Sequence, residues 1–159
     1  MGMSIGLIPI SGPVTALALS PDFAADGLAV IATWNEGLWR TRDGGRTWQP
    51  TGPPPFIFAH MTTILFSTDF AADHMLYVLV APSYFGETDT SILLRSSDGG
   101  ATWEILTAGE PAEPRRWPTM AISPPHEGGY DLVIGTADGQ VLTLRPQQAV
   151  WEPLPLATL

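Results

Sequence analysis

Short apolar runs recur along the chain and are separated by turn-forming residues. VTALALS from Val14 and TTILFST from Thr62 alternate or nearly alternate, whereas LAVIAT from Leu28 and MLYVLVA from Met75 are almost wholly apolar. Alternation is typical of a half-buried β-strand, and a short continuous run is typical of a strand buried on both faces. No longer segment shows a convincing helical period, so we expect little helix.

The runs belong to an internal repeat. The octapeptide SPDFAADG at Ser20–Gly27 returns 47 residues later as STDFAADH at Ser67–His74, with six of eight residues identical. An apolar run follows each copy, and a third run follows SPPHEGG, which starts at Ser123. A fixed period of this kind indicates a repeat architecture, which has to be recognised before single elements are assigned.

Three tryptophans mark the same period. Trp103 follows Trp48 by 55 residues, and Trp151 follows Trp103 by 48. Units of about 40–50 residues with four short strands each are typical of β-propeller blades. The sequence therefore predicts an all-β fold, in which one domain spanning residues 1–159 contains three four-stranded antiparallel blades. The blades are expected at about residues 14–53, 61–109 and 117–157.

Three blades are fewer than the four to eight that typically close a propeller. Two copies of the chain, related by a two-fold axis, would make a six-bladed ring, or a different chain would complete the propeller. A third alternative is an open arc of three blades whose ends are capped by the termini. The segment SIGLIPI, residues 4–10, occupies the place of a fourth strand from a preceding unit. We expect a homodimer or a completing partner chain, with residues 4–10 either as an extra strand or as an arm on the side of a blade.

Charge and composition exclude several classes of function. The net charge of −9 disfavours nucleic acid and anionic membranes as partners, since both require a basic face. Cysteine is absent, which excludes disulfides and thiolate metal sites. The N-terminal stretch carries no basic residue and is interrupted by proline and glycine, so it is a poor signal peptide. We expect a cytoplasmic location by default, or an extracellular one if a leader is missing.

Two near-identical turns, TRDGGRTW from Thr41 and SSDGGATW from Ser96, are the most specific motifs. The aspartate can accept hydrogen bonds from N–H groups of its own turn, and the glycines supply backbone angles that other residues resist. The tryptophan can then bury its ring between neighbouring sheets. A structural role in the hairpin between the third and fourth strands accounts for all of these residue types.

These turns resemble the Asp-box, or bacterial neuraminidase repeat, of sialidase-like β-propellers. The matching positions in the two copies are Thr41, Asp43, Gly45, Thr47 and Trp48, and Ser96, Asp98, Gly100, Thr102 and Trp103. The third unit reads LRPQQAVW and keeps only Trp151. Asp-boxes occur in sialidases, xyloglucanases and sortilin-like receptors, on the face away from the active site. The resemblance therefore implies a structural role for the boxes and leaves the function open.

Candidate ligand-binding residues lie in the loops at the other end of the blades, where the segments are least repetitive. They combine aromatic, acidic and basic side chains: Trp34, Glu36, Tyr84, Glu87, Asp89, Arg115, Arg116 and Trp117. Exposed aromatic rings beside acidic side chains suit the binding of a glycan or a protein partner. Alternatively, the aromatic side chains could fill the centre of the ring or cover a sheet edge, and the charged side chains could be solvated at the rim of the propeller. The histidines are too scattered to indicate a metal site, and no cofactor is expected.

Two functions remain open. The first is a non-enzymatic binding or assembly module that recognises a glycan or a protein through its loops. The alternative is a glycoside hydrolase or sialidase-like enzyme, or a fragment of one, in which Glu36 and Asp89 of adjacent blades could face each other across a cleft. No local motif identifies catalytic residues, so none is assigned.

Overall fold

The computed structural model describes residues 12–34, 36–52, 60–81, 91–106, 119–145 and 151–154. Within these residues the chain forms three four-stranded antiparallel sheets, which we call blades 1, 2 and 3 in chain order. Blade 1 contains β1 (Val14–Leu19), β2 (Ala29–Thr33), β3 (Gly37–Thr41) and β4 (Gln49–Thr51). Blade 2 contains β5 (His60–Phe66), β6 (Leu76–Ala81), β7 (Ile92–Ser96) and β8 (Glu104–Ile105). Blade 3 contains β9 (Thr119–Ile122), β10 (Leu132–Gly135), β11 (Val141–Leu144) and β12 (Trp151–Pro153).

The predicted all-β class and the three predicted units are confirmed. In each blade the strands follow one another in space as they do in sequence, so each blade is a simple up-and-down meander. The first strands of the blades lie side by side, with β5 packed between β1 and β9. The predicted extra strand, residues 4–10, lies outside the described residues, which begin at residue 12.

The blades stack face to face around two hydrophobic cores. We call the side of a blade that faces the preceding blade its leading face, and the opposite side its trailing face. The first core joins the trailing face of blade 1 to the leading face of blade 2 and includes Val30, Leu38, Val78 and Leu94. The second core joins blades 2 and 3 in the same way and includes Tyr77, Leu79, Leu132 and Ile134.

Strand β6 shows why its sequence has no polar alternation. Leu76 and Val78 point into the first core, whereas Tyr77 and Leu79 point into the second, and all four side chains are completely buried. A strand covered on both faces must be apolar throughout, as the run MLYVLVA predicts. Blade 2 is therefore the fully enclosed unit of the stack.

Two one-turn helices, α1 (Phe23–Asp26) and α2 (Phe70–Asp73), connect the first and second strands of blades 1 and 2. They occupy the repeated octapeptide, which contains one phenylalanine in each copy, Phe23 and Phe70. Phe70 is buried in the first core, with its ring edge-on to Phe66 at a centroid distance of 4.8 Å. Phe23, at the same position of blade 1, is half-buried. The phenylalanine of the octapeptide is thus buried between blades where a preceding blade is described.

The helices end in the left-handed backbone conformation, which brings the chain close to the next turn. Gly27 has φ of 59°, and a Cβ there would lie 2.8 Å from the backbone nitrogen of Gly44. His74 adopts the same conformation in blade 2 with φ of 52°. The carbonyls of Gly27 and His74 accept hydrogen bonds from Gly44 and Gly99, respectively, which ties each helix to the hairpin of its own blade.

Candidate functional site

The antiparallel order of the strands sorts the connections to two ends of the stack. The β1–β2 and β3–β4 connections of blade 1, and their counterparts in blade 2, lie at one end, which we call the turn end. The strand ends from which the β2–β3 connections leave lie at the opposite end, which we call the loop end. The aspartate turns therefore lie at the turn end, and Trp34 and Glu36, the candidate ligand residues that the structure describes, lie at the loop end.

In the first turn, Asp43 accepts hydrogen bonds from both sides of the hairpin. The Thr41 hydroxyl donates to Oδ1 at 2.8 Å, the Thr47 N–H donates to Oδ1 at 2.9 Å, and the Thr47 hydroxyl donates to Oδ2 at 2.6 Å. Gly45 N–H donates to the Thr41 hydroxyl oxygen at 3.0 Å. The carboxylate thus holds the hairpin closed, and each of its oxygens is engaged within the turn.

The second turn repeats this network. Ser96 Oγ donates to Asp98 Oδ1 at 2.8 Å, and the N–H groups of Ala101 and Thr102 donate to the same oxygen at 2.8 and 2.9 Å. The Thr102 hydroxyl donates to Oδ2 at 2.6 Å, as Thr47 does in the first turn. The two turns therefore share one geometry, as their shared sequence predicts.

The hydrogen bonds keep both carboxyl groups ionised. The Thr47 hydroxyl and N–H, followed by the Thr41 hydroxyl, lower the pKa of Asp43 to about 2. Partial burial acts to raise the pKa of Asp98, but hydrogen bonds from Thr102, Ser96 and Ala101 outweigh it and lower this pKa to about 2 as well. A general acid at neutral pH needs a raised pKa, so neither group is suited to that role.

The tryptophans of the two turns differ in what their indole N–H groups bind. Trp103 Nε1 donates across the junction to the Thr51 hydroxyl oxygen of blade 1 at 3.1 Å, and that hydroxyl donates onward to the carbonyl of Gly100. Trp48 Nε1 donates to the carbonyl of Gly45 in its own turn at 3.2 Å. Trp48, Trp103 and Trp151 are all half-buried, and the latter two pack against the first and second cores.

At the loop end, the structure describes two of the eight candidate ligand residues. Trp34 follows β2 and is 38% exposed, with its backbone N–H bonded to the Pro13 carbonyl at 3.0 Å. Glu36 is half-buried in the same connection, one residue before β3. The other six lie outside the described residues: Tyr84, Glu87, Asp89, Arg115, Arg116 and Trp117. The predicted meeting of Glu36 with Asp89 therefore stays a prediction.

A cleft that the sequence did not indicate opens at the turn end, between blades 1 and 2. Its volume is about 690 Å³, and Leu28 and Phe70 form its apolar wall. Arg42, His74 and Asp98 line it with polar groups, although they belong to different repeats. Sequence reasoning missed this grouping because it depends on how closely two blades stack, which no local pattern reports.

Within the residues that the structure describes, no group of three or more histidine, aspartate or glutamate side chains could hold a metal ion. None of the helices in these residues is long and apolar enough to cross a membrane.

Comparisons with known proteins identify the fold. No protein-family model matches the chain, and no curated protein matches it. Among solved structures, YCF48 from Cyanidioschyzon merolae superposes with a TM-score of 0.65 at 19% identity, over 94% of this chain and 39% of that one. The GH74 xyloglucanase from Xanthomonas campestris superposes with a TM-score of 0.58 at 22% identity, over 91% of this chain and 22% of that one.

Both structures are β-propeller proteins, and the chain spans well under half the length of either. Identities of about one residue in five establish a shared fold and leave activity undecided. The three stacked sheets of this chain are therefore blades of a β-propeller.

Proposed function

We propose that the chain is a non-enzymatic propeller module that binds a glycan or a protein partner at its loop end. The observation that supports the proposal is a difference between the side chains at the two ends of the stack. At the turn end, the conspicuous acids Asp43 and Asp98 have their oxygens engaged by their own hairpins. At the loop end, Trp34 stays 38% exposed beside the half-buried Glu36.

We infer further that residues 41–48 and 96–103 are Asp-boxes in the structural sense. Support comes from the repeated set of hydrogen bonds from a hydroxyl residue, the aspartate and the closing threonine. In this reading the boxes hold the blades in shape, and specificity belongs to loops at the opposite end. Loops on a rigid scaffold are the usual place for binding residues.

Trp34 and Glu36, two residues apart in the β2–β3 connection, favour a ligand that has both an apolar face and polar groups. A sugar ring stacks on an indole through its C–H face and donates hydroxyl hydrogen bonds to a carboxylate; a peptide can use the same two groups. Aromatic side chains dominate such contacts because they bury a large area with few rotatable bonds. A glycan or a peptide loop is therefore the class of ligand we favour.

The test measures binding and turnover together. The chain is applied to a glycan array and incubated with fluorogenic sialosides and glucans. We expect capture without turnover, and we expect Trp34→Ala to weaken capture at least about tenfold, the effect of one buried aromatic contact. Asp98→Ala is the matched control, because it removes an acid at the turn end and should leave capture unchanged.

The glycoside hydrolase alternative has its own signature in the same experiment. It is favoured by the likeness to a xyloglucanase, although that likeness extends only to the fold. Turnover that Glu36→Gln or Asp89→Asn abolishes would replace the binding module by the hydrolase. Loss of capture in Asp98→Ala with unchanged folding would place the ligand at the turn end and contradict the proposal.

A further inference from the structure

We propose that the cleft at the turn end between blades 1 and 2 binds a short peptide with free termini and apolar side chains, whose carboxylate contacts Arg42 and His74 and whose ammonium contacts Asp22. This site lies at the opposite end of the stack from Trp34 and Glu36, so it does not depend on the proposed function. The cleft volume of about 690 Å³ is in the range of about 300–1,000 Å³ that holds small ligands, and a dipeptide or tripeptide is of that size.

Arg42 and His74 are among the few residues by which the near-identical turns of the two repeats differ. Blade 2 has Ser97 at the position of Arg42, and blade 1 has Gly27 at the position of His74. Since the hairpin and the one-turn helix form with either residue, the shape of these turns requires neither an arginine nor a histidine. Both residues nevertheless line the same cleft, one from each blade. The stacking of the blades thus brings together two N–H donors that the repeated motifs do not need.

His74 has a backbone conformation that is uncommon for its residue type. Within the described ranges it is the one non-glycine residue with a positive φ, at 52°. Residues held in such conformations cluster at binding and active sites. The His74 ring lies edge-on to Phe70 at a centroid distance of 5.7 Å, and its nitrogens make no hydrogen bond to the part of the chain that the structure describes. An N–H group of the imidazole is therefore available to a ligand.

The guanidinium of Arg42 lies on the floor of the cleft. Arg42 Nη2 is 3.2 Å from the point where a Cβ of Gly99 would lie, and carbon atoms of Leu28 and Phe70 are 3.7 and 3.8 Å from that point. Among the described residues, Arg42 makes no hydrogen bond or ion pair. Burial, followed by the charge of Arg42, lowers the pKa of Arg40, so the two guanidinium groups lie close enough to repel each other. A bound carboxylate would offset this repulsion and accept two N–H groups of Arg42 at once.

Three aspartates line the cleft, and one of them has a carboxylate that its own turn does not use. Asp98 is held by its hairpin, and Asp26 accepts hydrogen bonds of 2.6 and 2.8 Å from a serine hydroxyl and a backbone N–H of its own turn. Asp22 makes no capping bond to its helix and no ion pair with Arg42. The cleft therefore presents one positive and one negative side chain that do not pair with each other, and a ligand that carries both charges can bind the two.

The balance of charge and the apolar lining narrow the class of ligand. Three carboxylates outnumber the single guanidinium of the described lining, so a phosphate dianion would be repelled, whereas the ammonium of a zwitterion offsets the excess. Ala25 and Ala71 are exposed on the sides of the cleft, and their small side chains leave room for an aliphatic group above Phe70. A short peptide with apolar side chains supplies all three features.

The first measurement is isothermal titration calorimetry of the chain with leucyl-leucine. We expect saturable binding at one site, and binding of the C-terminal amide of the same dipeptide should be at least about tenfold weaker, because the amide lacks the charge that pairs with Arg42. Acetylation of the amino terminus should also weaken binding, since it removes the ammonium that pairs with Asp22. Inorganic phosphate should not compete with the dipeptide.

Variants of the chain locate the site. Arg42→Gln should weaken binding of leucyl-leucine at least about tenfold. Arg46→Gln is the matched control, because Arg46 is an exposed arginine of the same hairpin that is not part of the cleft lining. His74→Gly introduces the residue of blade 1, which adopts the left-handed conformation freely. This variant should stay folded by circular dichroism and bind about threefold or more weakly. Trp34→Ala should leave the affinity for the dipeptide unchanged.

Four results would overturn the proposal. Absence of binding at millimolar leucyl-leucine would show that the cleft does not take such a peptide. Equal affinity for the dipeptide and its amide would show that the carboxylate is not recognised. Equal losses in Arg42→Gln and Arg46→Gln would indicate a general effect of charge. A loss in Trp34→Ala with parent-like binding in Arg42→Gln would place the peptide at the loop end.

Discussion

At the scale of the residue, the aspartates of the two hairpins have a structural role, although a repeated acid in a short motif could be mistaken for a catalytic residue. Each follows an arginine or a serine in a turn that the chain repeats, yet each accepts hydrogen bonds from three or more donors of its own hairpin. A carboxylate that accepts several hydrogen bonds has a low pKa and contributes to stability in its charged form.

Removal of one such carboxylate should destabilise the fold. We expect Asp98→Ala to lower the free energy of unfolding by roughly 1–2 kcal/mol, because four donors of the turn lose their acceptor. Asp69→Ala is the control, since the Asp69 side chain makes no hydrogen bond to the described part of the chain. Urea unfolding followed by tryptophan fluorescence measures both; equal effects would contradict the role assigned to Asp98.

Acid should act through the same groups. The pKa of Asp43 and of Asp98 is about 2 in the folded chain, against 3.8 ordinarily. A lowered folded-state pKa contributes stability that is present above about pH 4 and lost as the pH falls towards 2. We expect the free energy of unfolding of the parent chain to fall more steeply across this window than that of the Asp43→Asn, Asp98→Asn double variant. Parallel curves in urea titrations would refute this.

A buried tyrosine pair joins blades 2 and 3. The hydroxyls of Tyr77 and Tyr130 lie 2.9 Å apart, and burial raises the pKa of both phenols. Tyr130→Phe should cost about 1–2 kcal/mol, because it leaves the buried Tyr77 hydroxyl without this partner. The double change to phenylalanine should cost less than the sum of the single changes, as a double-mutant cycle would measure. Additive costs would mean that the hydroxyls do not interact.

At the scale of the element, the arginines at one repeat position of the third strand have different partners in blades 1 and 2. Arg40 of β3 donates to the Gly99 carbonyl of the next blade at 3.1 Å, and burial, followed by the charge of Arg42, lowers its pKa. Arg95 is at the same position of β7, but it pairs with Glu104 within its own blade at 2.6 Å. The difference follows from blade 3, whose third-to-fourth strand segment has no Asp-Gly-Gly sequence to receive an arginine.

The two arginines should therefore differ in energy. We expect Arg40→Met to cost about 1–2 kcal/mol, since a charge-assisted hydrogen bond between blades is lost. Arg95→Met should cost less than about 1 kcal/mol, because its partner Glu104 is 58% exposed and such surface pairs contribute little. Thermal unfolding of the two variants in parallel tests this, and a larger cost for Arg95→Met would reverse the assignment.

At the scale of the whole molecule, the stack is protected most strongly at its centre. Blade 2 has a core on each face, whereas the leading face of blade 1 and the trailing face of blade 3 have large half-buried or exposed areas. Local opening is governed by the packing that must be broken, so amides in the enclosed blade should open least.

Hydrogen exchange measures this gradient. We expect the amides of β6 to exchange most slowly and those of β1 to exchange faster than those of β5, although β1 and β5 are both the first strands of their blades. Amides of β1 that exchange as slowly as those of β5 would contradict this gradient.

The sequence by itself determined the class, the number of units and the position of the strands. Strand periodicity, the octapeptide repeat and the spacing of the tryptophans are local signals, and the local backbone follows them: the strands of each blade overlap the predicted segments, although β5 begins at His60, two residues before the predicted run from Thr62. The hairpin chemistry of Asp43 and Asp98 was equally accessible, because donors and acceptor lie within a few residues of one another.

Only the tertiary structure decided which residues of different repeats contact one another. The bond from Trp103 to Thr51 and the contact of Arg40 with Gly99 span 52 and 59 residues, and the cleft that groups Arg42 with His74 exists only once two blades are stacked. Two aliphatic residues at the same repeat position differ in burial, as Leu17 and Ile64 do, because burial depends on the neighbouring blade. A local pattern specifies a blade, but the partners of its faces are set by packing at a distance.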